Sequence, residues 1–376
     1  MKKALFIFVA VALAATFSGG SVLAITVDTN LMPASAGGEA PIVKVKWEMN
    51  GPYYDPYFWG TDDSSQAGAQ FHAPGIWEAT KTVSFCAVVT DPDGVAQING
   101  VYADFYYPND RAFHPEDPSH PDQIDGGTPA VPDYGLSGCG EQVGDELSLT
   151  QLSKADGIEL FCNQVRNYNN NLPTWYSSYD YDEVCAADGE LEKEDAYVYC
   201  GDRDIIWEDP AGDYLVEIFA LDDPGNFSNT LTNYFEYLPL TAYETDFTLV
   251  DYGNVSLNVQ KNIAGDLTWG TSDRPSVRNL GNTRLYMGVV QDDMDLGTTG
   301  GVYNVSYRAR VGNEEADWSG YVPYDPTTWL EDILDLSEIE EMDFSILVTK
   351  FPNQGPFYGQ MTLSAMFANF RECFPS

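Results

Sequence analysis

Alternation of apolar and polar side chains at every second position dominates the chain from Ile42 onward. Val43, Val45 and Trp47 alternate with Lys44, Lys46 and Glu48. That is the pattern of a strand with one face buried and the other in water. Thr82 to Thr90 is apolar on both faces and predicts a fully buried strand. Val101, Ala103, Phe105 and Tyr107 alternate again, as do Tyr214, Val216, Ile218 and Ala220. Leu231 to Tyr237 predicts one more strand. Five strands separated by turn sequences predict an antiparallel sandwich.

A second series begins near Ala242. Leu257 and Val259 alternate with Ser256, Asn258 and Gln260, and Leu285, Met287 and Val289 follow. Tyr303, Val305, Tyr307, Ala309 and Val311 predict a long strand. Asp325-Pro326 is a good helix start, and Trp329 to Leu336 fits a short helix. Phe344, Ile346 and Val348, then Met361, Leu363 and Ala365, predict a closing strand pair around a Pro-Asn-Gln-Gly-Pro turn.

Between these series the pattern is interrupted from 109 to 209. Asn109 to Asp133 is dense in Pro, Asp, His and Gly and predicts irregular loop. Helical spacing follows around Leu147 to Val165 and around Asp182 to Tyr197. The expected class is therefore all-β: two immunoglobulin-like antiparallel β-sandwiches, the first carrying a large disulfide-stapled insertion with some helix. The first sandwich is expected over 41–240, with its insertion at 109–209, and the second over 241–376. Gly212-Asp213-Tyr214 supports the first assignment. Such sandwiches place a tyrosine there whose hydroxyl bonds to nearby backbone.

The first 24 residues change the picture. Lys2 and Lys3 precede an unbroken apolar run, Ala4 to Ala15, and Val22 and Ala24 suit cleavage after Ala24. This is the form of a secretory signal peptide, too short in its apolar run to span a membrane. Residues 25–40 are small and polar and predict a flexible leader. No later stretch approaches membrane length, and Phe370 to Ser376 is not a hydrophobic anchor. The expected location is therefore extracellular or at the cell surface, with no membrane insertion of the mature chain.

Export sets the fate of Cys86, Cys139, Cys162, Cys185, Cys200 and Cys373, which predict three disulfides. The expected pairing is Cys162 with Cys185, Cys139 with Cys200, and Cys86 with Cys373. Zinc-ribbon spacings are absent. Charge excludes more. The chain carries 58 acidic against 18 basic side chains, a formal net charge of −40. Such a surface repels phosphate backbones and excludes nucleic acid as a partner. It favours solubility, divalent cations or cationic partners.

Several segments are similar to those of a known group. In the second half these are Gly265-Asp-Leu-Thr268, Pro275-Ser-Val-Arg-Asn-Leu-Gly-Asn282, Asp343-Phe-Ser-Ile-Leu-Val-Thr349 and Gly359-Gln-Met-Thr-Leu-Ser-Ala365. In the first half they are Val89-Thr-Asp-Pro-Asp-Gly94 and Val101-Tyr-Ala-Asp104. Together they resemble secreted surface proteins of methanogenic and related archaea, over most of the chain except the cysteine-rich insertion. The resemblance implies location and architecture, and it carries no activity to any residue.

No catalytic constellation stands out. The chain has three histidines, His72, His114 and His120, and no Gly-x-Ser-x-Gly elbow, phosphate loop or dinucleotide fingerprint. With 58 carboxylates, some pair always has a glycosidase spacing, so that signal discriminates nothing. A calcium site is the leading site expectation. Asp91 and Asp93 follow one strand and Asp222 and Asp223 another, and both turns should emerge at one end of the sandwich, where hard oxygen ligands suit calcium. The competing reading is that these are plain turn sequences. His114, Glu116, Asp117, His120 and Asp122 form a second, loop-borne cluster that could take a transition metal. A solvated acidic loop explains it as well.

Two aromatic loops, around Tyr54 and Trp59 and around Trp175 and Tyr176, suit sugar stacking or protein contact. Packing over a sandwich edge is the alternative. Glycosylation sequons stand at Asn226, Asn254 and Asn304. The expected function is thus a secreted, acidic surface or extracellular-matrix protein that is not an enzyme. It acts through self-assembly or contact with other surface proteins, with calcium as a possible cofactor. A carbohydrate-binding or adhesion module is the first rival, and a hydrolase with its site in the insertion is the second.

Overall fold

The computed structural model describes residues 38–53, 69–109, 112–113, 137–165, 180–271, 273–312 and 317–370. In the first half the strands are β1 (Ile42–Asn50), β2 (Gln70–His72), β3 (Thr80–Thr90), β4 (Ile98–Tyr106), β5 (Ala112–Phe113), β6 (Ser137–Gly138), β7 (Leu147–Gln151), β8 (Ala196–Ile206), β9 (Gly212–Asp222) and β10 (Leu231–Leu238). Eight of them form one path in the order β1-β3-β8-β7-β4-β9-β10-β2. All neighbours are antiparallel except β10 and β2.

The path bends at β7. Thr150 and Gln151 pair with β8, while Leu147 to Leu149 pair with β4. The two arms face each other over a core that includes Val43, Phe71, Phe85, Phe105, Tyr214 and Phe235. Tyr214 sits at the predicted corner. It is buried, and its hydroxyl donates to the Pro210 carbonyl at 2.8 Å.

Residues 109–209 supply two integral strands, β7 and β8, where helical spacing was expected. The reason lies in the local pattern. Leu147 and Leu149 alternate with Ser148 and Thr150, and Ala196 to Cys200 is apolar on both faces. Among the described residues of this stretch, helix is confined to Lys154–Gly157, running on as a π-helix over Ile158–Val165, and to Tyr181–Cys185 and Glu190–Lys193. Ser153 and Asp180 cap the starts through their side-chain oxygens. These helices cover the outer face of β1, β3 and β8 and build a second core with Val45, Trp47, Val88, Phe161 and Val184. The Trp47 and Phe161 rings stack there at 5.0 Å.

With both faces covered, β1 is not the half-exposed strand its alternation predicts. Lys44, Lys46 and Glu48 are all buried. Lys44 reaches Glu183 and Glu190 at 3.2 and 3.1 Å. Lys46 pairs with Glu48 on the inner face.

The disulfides correct two of the three expected pairings. Cys162 bonds Cys185, as expected, and ties the π-helix to the next helix. Cys86 bonds Cys200, not Cys373. Cys200 is therefore not the partner of Cys139, which is itself disulfide-bonded. Cys86 and Cys200 are directly opposed across β3 and β8, with Cα atoms 4.2 Å apart. That register brings their Cβ atoms together. Cys373 lies outside the described residues.

The second half contains β11 (Tyr243–Thr245), β12 (Lys261–Ile263), β13 (Ser276–Asn279), β14 (Arg284–Gln291), β15 (Thr298–Thr299), β16 (Val302–Tyr303), β17 (Val305–Val311), β18 (Ser319–Tyr321), β19 (Thr328–Leu334), β20 (Ile339–Val348) and β21 (Met361–Ala368). A six-stranded sheet runs β11-β13-β20-β17-β18, with β12 also on β20, and a three-stranded sheet runs β19-β14-β21. They enclose a core with Val277, Leu285, Met287, Tyr307, Phe344 and Ile346.

Three local expectations fail here. The predicted helix from Trp329 is strand β19, because Leu330 and Leu334 face the core from the edge of β14. Leu257 and Val259 are exposed and form no strand, since Asn258 between them is left-handed with φ 58°. The segments Phe344–Val348 and Met361–Ala365 do not pair with each other. They belong to different sheets, so the chain crosses from one to the other through residues 349–360.

Asn282 joins the two halves. It is fully buried, its side-chain oxygen accepts from Leu240 N at 2.7 Å, and its amide donates to Leu238 O at 3.0 Å. Its main-chain carbonyl accepts from Ala211 N at 2.8 Å. The Arg278 guanidinium lies 4.8 Å from the Trp77 ring centre, a cation–π contact across the same junction.

Candidate binding groove

The crossover between sheets that breaks the predicted strand pair also borders an open concave feature. A groove of about 1410 Å³ runs between the segment after β11 and the loop before β21. One wall comes from Phe247 to Val255 and the other from Phe351 to Gln360. Its floor is the end of the second core, with Gln291, Met294, Leu296, Ile346 and Val348.

Each wall is held by its own backbone contacts. Tyr243 Oη donates to Leu363 O at 3.0 Å and closes the base. Asp251 accepts from Gly253 N at 2.8 Å, which tightens the turn carrying Tyr252 and Asn254. Asp292 accepts from Gln360 N and from Met294 N at 2.8 and 3.0 Å, which sets the angle at which the 351–360 loop leaves β21. The Phe351 and Phe357 rings stack at 5.6 Å and stiffen that loop.

The lining combines aromatic faces with neutral polar groups. Tyr358 stands 75% exposed at the rim and Leu249 likewise. Asn254, Asn353, Gln354, Gln360 and Thr362 supply amides and a hydroxyl. Asp251 is the one charged residue in the described lining, to which no Lys, Arg or His contributes. Tyr252 is buried under the floor, and burial raises its hydroxyl above the ordinary tyrosine range. Tyr307 and Tyr321 stack at 5.4 Å close by, and Tyr321 Oη bonds Gln291 at 3.2 Å. A layer of tyrosines thus backs the floor, while Tyr358 and Leu249 stand exposed at the rim.

Tyr54, Trp59, Trp175 and Tyr176, and the cluster His114, Glu116, Asp117, His120 and Asp122, lie outside the described residues. The signal that could have found the groove is the Tyr252-x-Asn254 and Phe351-to-Gln360 run, rich in aromatics and amides. By local pattern alone it reads as strand and turn.

The acidic turns are placed as follows. Asp91 and Asp222 are buried, and Asp93 and Asp223 are exposed. Asp222 is committed to its own turn, accepting from the Asn226 main-chain and side-chain amides at 2.6 and 2.7 Å. Asp91 accepts from Asp93 N at 2.8 Å through one oxygen, while its other oxygen is buried without a hydrogen-bond donor. Burial raises the Asp91 carboxyl above its usual range, and the charges of Asp93 and Asp222 add to that. Among the described residues, no group of three or more His, Cys, Asp or Glu side chains is arranged to hold a metal.

The sequons differ in placement. Asn254 is exposed at the groove. Asn226 is half-buried, with its amide on Asp222. Asn304 is buried, donating to Leu296 O at 2.8 Å and accepting from Thr299 Oγ1 at 2.7 Å.

The class defined at this point is a mostly β protein with several sheets, cross-braced by disulfides and bearing an open aromatic and amide groove. Among the described residues, no helix is long and apolar enough to cross a membrane. No protein-family model and no curated protein matches the chain. Among solved structures it is similar to the C-terminal domain of the Streptococcus pyogenes antigen I/II-family protein AspA, at 11% identity and a TM-score of 0.22, covering 88% of this chain and 97% of that one. It is also similar to the C-terminal domain of the Streptococcus agalactiae antigen I/II polypeptide BspA, at 10% identity and a TM-score of 0.21, covering 88% and 96%. At such scores the overlays carry no common fold or function.

Proposed function

We propose that this is a secreted cell-surface or extracellular-matrix protein that works by binding, and that its groove takes an uncharged carbohydrate chain. We read the chain as two immunoglobulin-like sandwiches over 41–240 and 241–376. The Tyr214 corner supports the first assignment, and the separate core around Phe344 supports the second. The observation that carries the functional reading is the lining: exposed aromatic surface beside Asn and Gln amides, with no cationic side chain among the described residues. Sugar faces stack on aromatic rings, and hydroxyls exchange hydrogen bonds with amides. An anionic ligand would meet Asp251 and a chain of net charge −40.

A glycan array with the purified protein tests this, with Tyr358→Ala and Gln360→Ala as variants. Tyr358 is exposed, so its removal leaves the core intact. Loss of one stacking ring should weaken binding by about tenfold, the equivalent of ~1.4 kcal/mol. Wild-type protein that binds no glycan defeats the reading. Binding lost on Trp59→Ala or Trp175→Ala, and kept in Tyr358→Ala, moves the site to the aromatic loops.

A second reading, surface assembly aided by calcium, rests on the donor-free buried oxygen of Asp91 beside Asp222. A cation there would satisfy that oxygen and offset the repulsion between the carboxylates. Calcium should then raise the melting temperature, and Asp91→Asn should abolish the gain. Unchanged melting, with a monomer at high protein concentration in calcium, disposes of it.

A further inference from the structure

We propose that Lys46 and Asn233 condense spontaneously to an intramolecular amide cross-link, with Glu48 as the catalytic acid–base. The site lies on the inner face of the first half, where β1, one end of the bent sheet, approaches β10 near the other end, beyond the short stretch of β10 that pairs with β2. These strands share no ladder of main-chain hydrogen bonds. Side chains bridge the seam instead. Asn229 on the β10 side accepts from Val43 N at 2.9 Å and donates to Val43 O at 3.0 Å. One turn of the seam further on stand Lys46, Glu48 and Asn233.

Their arrangement is that of an acyl transfer held ready. Lys46 Nζ touches Asn233 Oδ1. Glu48 Oε1 lies 2.6 Å from Lys46 Nζ, and Glu48 Oε2 accepts from Asn233 Nδ2 at 2.8 Å. One carboxyl group thus contacts both the incoming nitrogen and the departing one. The side chains of Lys46 and Glu48 are 0% and 2% exposed. Their neighbours by register are Ala87 and Phe85 on β3, and Val216 lies opposite Asn233 on β9. Glu217 is the other charge acting on Lys46.

Burial is what makes an amine nucleophilic here. Desolvation lowers the Lys46 pKa from its usual value, against the opposing pull of Glu48 and Glu217. A buried ion pair carries a desolvation cost that a neutral pair avoids. A proton passing from Lys46 Nζ to Glu48 Oε1 therefore leaves a free amine and a neutral acid.

The step balances without any cofactor. The Nζ lone pair attacks Cγ of Asn233 and forms the new C–N bond, while the acid form of Glu48 hydrogen-bonds to the carboxamide. The Nζ proton passes to Glu48, Glu48 delivers a proton to Nδ2, and the Cγ–Nδ2 bond breaks. Ammonia leaves, and Glu48 ends as the carboxylic acid it was when attack began. The product is a secondary amide between the two side chains. Nothing is oxidised or reduced, and both buried charges are gone. Asn233 is only half-buried, which gives the ammonia a way out.

Mass spectrometry tests this on the purified wild-type chain after its disulfides are reduced and alkylated. The expected mass is lower than the sequence requires by one ammonia. Trypsin should fail to cut at Lys46 and should yield residues 45–81 joined to residues 204–261. Glu48→Gln and Lys46→Met should each restore the full mass, and the denatured Glu48→Gln chain should be cut at Lys46. A wild-type chain of full mass, cleaved at Lys46, overturns the proposal without recourse to any variant. So does an ammonia loss that persists in Lys46→Met, because it would then arise elsewhere. Cross-linking that survives Glu48→Gln overturns the role given to Glu48.

Discussion

Replacing Asp209 by Asn should make the protein's stability less sensitive to pH, in a direction and amount that the structure sets. Asp209 is 5% exposed, in the turn between β8 and β9. One oxygen accepts from Tyr107 Oη at 3.0 Å and the other from Ile206 N at 2.9 Å. Burial pushes its carboxyl up to about 6 from 3.8, despite those two bonds and the nearby Arg203 charge. The folded state therefore holds this proton more tightly than the unfolded state does. The stability this contributes is fully present below about pH 4 and is lost as pH rises through about 6. The gap corresponds to about 3 kcal/mol, since one pKa unit is about 1.4 kcal/mol. In Asp209→Asn the side chain no longer titrates. Its carboxamide oxygen can still accept from Ile206 N, and its amide can donate to the Tyr107 oxygen. Urea unfolding of both proteins at pH 4, 5, 6 and 7, at fixed ionic strength and with disulfides intact, gives the comparison. The variant should gain on the wild type by up to about 3 kcal/mol between pH 4 and 7. Comparing the pair removes the pH dependence of the other acidic groups. A difference that is flat across this range, or that shrinks as pH rises, refutes the argument.

Two other outcomes follow from the same contacts. Cys86→Ser with Cys200→Ser opens a link between residues 114 apart in sequence and should cost up to about 5 kcal/mol by loop entropy, read as a lower urea midpoint. Asn282→Ala removes the buried amide that ties Leu238 and Leu240 to the second half. It should cost roughly 1–3 kcal/mol and split the calorimetric unfolding peak in two, and a single unshifted peak counts against the junction described.

Period-two alternation placed β1, β4, β9, β14 and β17, and the run of apolar residues on both faces placed β3. What it could not reveal was how many faces are covered. Lys44, Lys46 and Glu48 look like a water-facing set because Lys and Glu are usually solvated. They are buried because the helical segments 154–165 and 181–193 form a layer over β1 and because β10 folds across its other face. Those contacts span well over a hundred residues and leave no local trace. The same limit hid the groove. Met361 to Ala365 alternates as any strand does, and nothing in the alternation says whether it pairs with β20 or crosses to β14. The Cys86 pairing failed for the opposite reason. Clustering in sequence favoured partners inside the insertion, whereas register across β3 and β8 decided the bond. Tyr214 was legible because its partner, Pro210, is four residues away.

The seam between β1 and β10 bears on how a surface protein would carry load. Lys46 lies close to where the chain enters the first half, and Asn233 close to where it leaves for the second through Leu238 and Leu240. A bond between them routes tension from the entry strand to the exit strand and spares everything between. That span is 187 residues. Stretched, it would add roughly 620–670 Å of contour, at about 3.3–3.6 Å per residue. Single-molecule extension in reducing buffer separates the cases, because the disulfides no longer shield any segment. The Glu48→Gln chain should extend further than the wild type by that length, less the folded distance between the two side chains. Wild-type and variant chains that extend equally would mean that the seam is held by hydrogen bonds alone. The first half would then yield as an ordinary sheet, from its β1 edge inward.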